Sequence, residues 1–359
     1  MSINSSAQVQ NPNTANAKPT RPWTASPKDR SISALILLAS VAISVLVVAV
    51  TPMKGKLAYF AVFFLSLLII DYTVSRAKAG KQAGVDSLFR ALVAMGMAIA
   101  VTPILSILYS VWERGHKGLR LALFTTDMHN ASPTSPLSQG GILHAIIGTG
   151  LLVIFAVIVS VPIGILTALY LTEIKGRFTR PIKFLVQAMS GIPSIVAGLF
   201  ILAAIVYPFT KSFNGIQGSL ALAILMIPTV ARTSEEVLQL IPNELREAGV
   251  ALGGTQWRTV AMVVVPAARS GLITAMILGI ARIAGETAPI LLLTGGGDGV
   301  NTNVFNGSMG SLPFYIFKGF TIGTDESVTR AWAAILVLLV LVIILFTLAR
   351  YLGNRKVGK

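Results

Sequence analysis

Apolar runs of about 20 residues recur along the chain with only short polar stretches between them, and a run of that length can cross a membrane as a helix. A helix rises about 1.5 Å per residue, so each run matches a hydrocarbon layer about 30 Å thick. Charged residues make up only 12% of the 359 residues, whereas about 25% is usual in soluble domains. The sequence therefore predicts an all-α integral membrane protein, in contact with membrane lipid, with about eight transmembrane helices. These spans lie near residues 31–51, 57–75, 88–112, 141–171, 182–209, 218–240, 267–293 and 329–352.

The composition excludes several classes of site. Cysteine is absent, and His116, His129 and His144 lie in or beside one predicted extramembrane loop, so we expect no bound metal and no thiol chemistry. The formal net charge is +15, but the basic residues lie in the connections between apolar runs and form no basic helix face. We therefore expect no nucleic-acid partner.

Lysine and arginine collect in alternate connections, and connections rich in these residues tend to remain cytoplasmic. If the N-terminus is inside, the basic stretches 76–90 and 175–183 lie on the same side as both termini. The pattern predicts a multi-pass protein of the plasma or inner membrane with both termini cytoplasmic. Residues 1–30 are rich in Asn, Ser, Thr and Pro, so we expect a disordered cytosolic tail there and a second short tail at 353–359.

The longest predicted cytoplasmic connection, residues 241–266, contains a helix of its own. Asn243 is a suitable N-cap, Glu244 places negative charge in the first turn, and Gly253 with Gly254 supplies a stop. Such a helix could dock into a groove on another protein or lie on the membrane surface as an amphipathic helix. Small and apolar residues recur on it at helical spacing, namely Leu245, Ala248, Gly249 and Leu252.

This connection resembles the EAA motif of the binding-protein-dependent ABC permeases. The matching residues are Glu247-Ala248-Gly249, then Gly253, then Val263-x-Val265-Pro266. The resemblance implies that Glu247, Ala248, Gly249 and Gly253 couple this chain to a separate ATPase. A phosphate-binding Gly-x-x-x-x-Gly-Lys-Ser/Thr motif is absent from the sequence, so we expect a permease that is not an enzyme and binds no cofactor, with ATP and Mg²⁺ in the partner ATPase.

Two charged clusters lie inside predicted spans, where each charge costs about 2.5 to 3.5 kcal/mol at a helix centre. Arg232 and Glu235 are three residues apart, and Arg282 and Glu286 are four apart, so each pair could share a helix face. One interpretation is two buried ion pairs that lock helices together. The other is a path in which both arginines meet an anion, because guanidinium matches the oxygens of phosphate, while the carboxylates moderate the field.

Helix-breaking residues accompany these charges. Pro228, Pro289 and the segment Gly191-Ile192-Pro193 are expected to interrupt helical hydrogen bonding at membrane depth, where such breaks occur beside protein or a water-filled cavity. Ser194 is a candidate pathway hydroxyl or a packing residue.

Three further segments resemble the PstA-type phosphate permease subunits: Pro193 to Leu199, Ile227 to Thr233, and Ala281 to Pro289. The resemblance implies a six-helix type I ABC importer permease core at 85–352, preceded by two extra helices at 31–84. It also implies translocation of inorganic phosphate into the cell, with a PstC-like permease, an ABC ATPase dimer and an extracytoplasmic phosphate-binding protein as partners. The alternatives are an ABC permease for molybdate or sulfate and an ion-coupled secondary transporter.

Overall fold

The computed structural model describes residues 27–52 and 54–354. These residues are mostly helical, and the described part of the chain contains no β-strand, which confirms the all-α prediction. The predicted tails at 1–30 and 353–359 lie mostly outside the described residues. The helices are α1 (Pro27–Val50), α2 (Lys56–Gly115), α3 (Leu121–Thr125), α4 (Leu143–Leu169), α5 (Thr179–Ser190), α6 (Ser194–Ile201), α7 (Gly215–Gln239), α8 (Asn243–Ala251), α9 (Gln256–Thr259), α10 (Val265–Ile283), α11 (Ala288–Leu293), α12 (Leu312–Ile322) and α13 (Asp325–Asn354). Wider π-helical turns extend α4 over Tyr170–Ile174 and α6 over Leu202–Thr210, and precede α10 at Val260–Val264.

Six helical segments among the described residues are long and apolar enough to cross a membrane, and the bent pair α5 and α6 is a further candidate. The longest of them, α2, reverses direction at Gly80, whose φ is 88°. Arg90 consequently lies 3.8 Å from Asp71, a distance that a straight helix could not give. The two arms of α2 correspond to the predicted spans 57–75 and 88–112, so about eight crossing segments agree with the sequence.

The packing divides the chain into two compact units, one ending at Ser106 and one beginning at Ile107. In the first unit, α1 packs against the first arm of α2. The hydroxyl of Ser66 donates to the carbonyl of Ser40 at 3.3 Å, which satisfies a polar group between two apolar helices.

The second unit is organised around α4 and α7, which pack along each other, with α10 and α13 beside them. Its core contains Leu152, Met226 and Ile283, each at most 1% exposed. Small residues bring the helices close together: Gly164 of α4 lies against Val230. A larger residue at Gly164 would therefore separate α4 from α7.

Two spans of this unit are broken. The α5 and α6 helices meet at an angle of 107° around Gly191 to Pro193, and residues 284–287 separate α10 from α11. The breaks predicted at these two places are confirmed, but α7 runs unbroken through Pro228. Gly198 of α6 packs on Pro289 of α11, so the segments that follow the two breaks lie side by side.

Candidate functional site

Two arginines from neighbouring helices share one face of the second unit. The guanidinium of Arg282, near the end of α10, donates from Nη1 to the hydroxyl of Thr229 on α7 at 2.9 Å. Thr229 lies one helical turn before Arg232, so α7 presents both residues in the same direction. Arg232 and Arg282 are both exposed in the isolated chain. The structure thus brings together the two arginines that the sequence singled out.

The ion pairs of the first interpretation, Arg232 with Glu235 and Arg282 with Glu286, are absent from the described part of the chain. Glu235 accepts from Lys183 of α5 at 3.2 Å and from Gln239 at 3.2 Å, instead of pairing with Arg232. Glu286 lies in the break after α10, so the helical spacing that would place it beside Arg282 does not apply. The side chain of Glu235 is 13% exposed, whereas Glu236 is exposed and lies four residues after Arg232, on the same face of α7.

Electrostatically, the two arginines of this face are not neutralised by ion pairs in the described part of the chain. Lys183 is neutralised by Glu235, but Arg232 forms no ion pair within residues 27–52 and 54–354. An unpaired guanidinium facing lipid would be costly, so this face requires a water-filled cavity or a second protein. Guanidinium donors and a threonine hydroxyl together can bind an oxyanion.

Ser194 is the first residue of α6 and lies directly after the break in the α5 and α6 pair. It is half-buried, and its hydroxyl has no hydrogen bond in the described part of the chain. Within the described residues, no hydrogen bond joins Ser194 to Arg232 or Arg282. Its position at a broken span still suits a pathway hydroxyl, and that role stays a prediction.

The predicted docking helix is α8. Its cap differs from the prediction: Pro242 occupies the N-cap, Asn243 is the first helical residue, and no side chain caps the helix. The Asn243 side-chain oxygen instead accepts from Arg246 at 3.3 Å. The helix stops as expected, because Gly253 adopts a φ of 82°, in the left-handed region that favours glycine.

Three of the four small and apolar residues that recur at helical spacing along this connection point outward. Leu245 is 41% exposed and Leu252 89% exposed, and Ala248 is also at the surface. Gly249 instead faces inward, where an added Cβ would lie 2.5 Å from Cγ2 of Thr259. The alanine usual in the EAA motif cannot be accommodated here without a shift, because Thr259 occupies its space.

We expect Gly249→Ala to destabilise the packing of α8 against Thr259 by about 1 to 3 kcal/mol, the usual range for overpacking. Thr259→Ala should partly rescue it, because that change removes Cγ2 and Oγ1, two of the three nearest atoms. The midpoint of thermal unfolding of the purified complex measures both effects. Equal unfolding midpoints for the wild type and Gly249→Ala would contradict this packing.

An anchor that sequence reasoning missed holds α8 in place. Arg246 forms a two-pronged ion pair with Glu173, at 2.8 Å from Nη2 to Oε1 and 3.0 Å from Nε to Oε2. Its Nη1 and Nη2 also donate to the carbonyls of Ile241 and Leu238, at 2.6 and 2.9 Å. The hydrogen bond with Glu173 raises the pKa of Arg246, so this guanidinium stays charged. Sequence spacing gave no signal for the pair, since its members lie 73 residues apart.

The connections at the opposite end of the second unit are tied together. Arg330 is 1% exposed and donates to backbone carbonyls of the loop 133–139. One oxygen of Asp127 accepts from the backbone N–H of Val300 at 3.1 Å, and the other accepts from that of His129. The bond from Val300 to Asp127 therefore joins the connections 126–142 and 294–311, and Arg330 of α13 anchors the first of them.

Known proteins resemble the chain over most of its length. It is similar to the phosphate transport system permease protein PstA of Mycobacterium leprae, with 39% identity over 263 residues, 72% of this chain and 86% of the relative. The corresponding protein of Yersinia pestis is 35% identical over 291 residues, 80% of this chain and 97% of the relative. An archaeal relative, the probable phosphate transport system permease protein PstA of Methanocaldococcus jannaschii, is 32% identical over 272 residues, 74% of this chain and 92% of the relative.

Among solved structures, the MetNI methionine ABC transporter in an inward-facing conformation matches with 23% identity and a TM-score of 0.45, over 60% of this chain and 92% of that chain. The family model of the binding-protein-dependent transport system inner membrane component matches residues 160–358. This match takes in the broken spans, both arginines and the α8 segment, which we define as residues 243–259 (α8, the turn at Gly253 and α9). The chain therefore belongs to the family of binding-protein-dependent transport system inner membrane components.

Proposed function

We propose that this chain is the permease subunit of an ATP-driven importer that moves inorganic phosphate into the cell. The observation that carries the proposal is the shared face of Arg232 and Arg282, in which Arg282 bonds to Thr229 one turn before Arg232, beside two broken spans. A guanidinium group at membrane depth raises the free energy of the protein unless it faces water, an ion path or another protein. Its planar donors also match the oxygens of a tetrahedral oxyanion. The similarity to PstA proteins supports phosphate as that anion.

The partial neutralisation of this face suits conduction. A pore must bind its ion weakly enough to release it, so a purely cationic site would trap a phosphate. Glu235 reduces the positive field by pairing with Lys183 while leaving Arg232 and Arg282 available. We infer that phosphate exchanges its water shell for these donors and then leaves toward the cytosol.

The exposed arginine face supports a second permease as the partner. We propose a PstC-like subunit that covers this face, so that the path runs between the two chains. The chain catalyses no bond change itself, and a separate ATPase dimer binds ATP with Mg²⁺ and contacts α8. An extracytoplasmic phosphate-binding protein would deliver phosphate to the connections joined by Asp127 and anchored by Arg330. Both termini would then lie in the cytosol, as the distribution of lysine and arginine indicates.

Uptake by the reconstituted complex tests this function. Proteoliposomes containing both permeases and the ATPase, supplied with binding protein outside and ATP inside, should accumulate radioactive phosphate. Excess unlabelled phosphate should abolish the signal, while molybdate and sulfate should leave most of it. Uptake of either competitor in preference to phosphate would assign the chain to another oxyanion, and ATP-independent uptake would favour an ion-coupled transporter.

Glu235→Gln should slow the maximal uptake rate about fivefold, equivalent to ~1 kcal/mol, because the unneutralised Lys183 then retains phosphate in the path. The matched control is Glu113→Gln, which removes the same charge from an exposed residue near the end of α2 that forms no ion pair in the described part of the chain. Initial uptake rates at saturating binding protein measure the difference. Equal uptake rates for the two variants would show that the ion pair of Glu235 with Lys183 does not influence how tightly the path holds phosphate.

A further inference from the structure

Both ends of the α8 segment converge on one residue at the end of α4. The side chain of Glu173 accepts from Arg246, near the start of the segment, and its backbone carbonyl accepts from the Gln256 side chain at 2.6 Å, near the end. The carboxylate of Glu173 is only 6% exposed. It lies in the π-helical turn Tyr170–Ile174, which ends at Lys175 with a left-handed φ of 49°. The segment is therefore fastened at two points to the end of a membrane span.

The same arginine also fastens the segment to α7. Arg246 donates to the carbonyls of Leu238 and Ile241, which belong to the last turn of α7 and the corner that follows it. Arg232 lies six residues before Leu238, which corresponds to about 9 Å along the helix. One guanidinium thus bridges three elements: α8, the end of α4, and the end of the helix that carries a pathway arginine.

We propose that Arg246 and Glu173 transmit the movement of α8 to α4 and α7, and so position the pathway arginines as ATP is used. The inference rests on the proposed function, because it assigns a role to this pair within the same transport cycle. A two-pronged arginine pair has a fixed geometry, unlike a single contact from lysine, and it resists rotation between the groups it joins. Because α4 and α7 pack closely along their lengths, a displacement at their cytoplasmic ends moves both helices together.

The alternative is that the pair only holds the corner in shape. Breaking it would then reduce assembly, ATP hydrolysis and uptake in parallel. If the pair transmits movement, its loss should separate hydrolysis from transport while the complex remains assembled. The ratio of phosphate imported to ATP hydrolysed distinguishes these two roles.

The experiment compares Arg246→Gln, Glu173→Gln and the double variant in the full complex reconstituted in proteoliposomes. We expect the ATPase to co-purify with each variant and ATP hydrolysis to continue, while phosphate imported per ATP falls at least about fivefold, within the usual range of coupling between sites. The double variant should be no worse than either single variant, since both remove the same link. Arg246→Lys, which keeps the charge but loses the fork, should give an intermediate ratio.

Arg258→Gln is a control on the same segment but outside α8. It removes an exposed charge that forms no ion pair in the described part of the chain, so its ratio should equal that of the wild type. An unchanged ratio in Arg246→Gln and Glu173→Gln would overturn the inference, and so would a parallel loss of assembly, hydrolysis and uptake. Wild-type uptake is measured in the same preparation, so absence of phosphate import by the wild type would refute the proposed function separately.

Discussion

Replacing Arg282 with alanine should reduce phosphate uptake at least about thirtyfold while the complex remains assembled. Loss of one partner from a desolvated, charge-assisted contact costs about 2 to 5 kcal/mol, and 2 kcal/mol corresponds to that factor. Arg282 is exposed on the arginine face, and the one hydrogen bond of its side chain to the described residues goes to the hydroxyl of Thr229, so its removal leaves no buried carboxylate unpaired. The measurement is initial uptake in proteoliposomes, with assembly checked by co-purification.

Two further variants sharpen this test. Arg282→Lys should retain part of the uptake, because it keeps the charge but loses the planar fork. Arg350→Ala removes an exposed arginine from the last helix and should leave uptake unchanged. Normal phosphate uptake by Arg282→Ala would show that the anion path does not run along this face.

Replacing Gly253 with valine should remove most of the ATPase from the purified complex. Gly253 has a φ of 82° and an added Cβ would meet nothing within 4 Å, so the effect comes from backbone conformation alone. A left-handed conformation costs a residue with a Cβ about 1 to 2 kcal/mol, and a β-branched side chain tolerates it least. The turn would open, and the adjacent Leu252, the most exposed apolar residue of the segment, would lose its position.

Gly253→Asn is the matched variant for this prediction, because asparagine tolerates the left-handed region. It should retain most of the ATPase in a quantitative co-purification. Equal retention of ATPase by Gly253→Val and the wild type would show that this turn does not present α8 to its partner.

The sequence predicted the spans because apolar length depends only on local composition. It predicted the breaks at Gly191 to Pro193 and before Pro289 because proline and glycine act on their own backbone. The left-handed turn at Gly253 is likewise a local property. For the same reason the α8 helix was found within the connection where it was expected, although its cap was not.

The partners of the charged residues could not be predicted from spacing. The contact of Glu235 with Lys183 joins residues 52 apart, and the rule that pairs neighbours on one helix face ignores such contacts. The rule also requires a continuous helix, and Glu286 lies outside one. Gly249 is a similar case, because only the fold shows that Thr259 occupies the space of an alanine side chain.

The most direct test of the central claim, that the arginine face lines an aqueous anion path, is the labelling rate of Thr229→Cys. This chain contains no cysteine, so a charged, membrane-impermeant thiol reagent would label it at this position alone, and labelling is read from this subunit after the subunits are separated. In the assembled complex in membranes, we predict that the reagent modifies this variant and that phosphate slows the reaction. Absence of labelling in membranes, with full labelling after denaturation, would place Thr229 and its neighbouring arginines away from any such path.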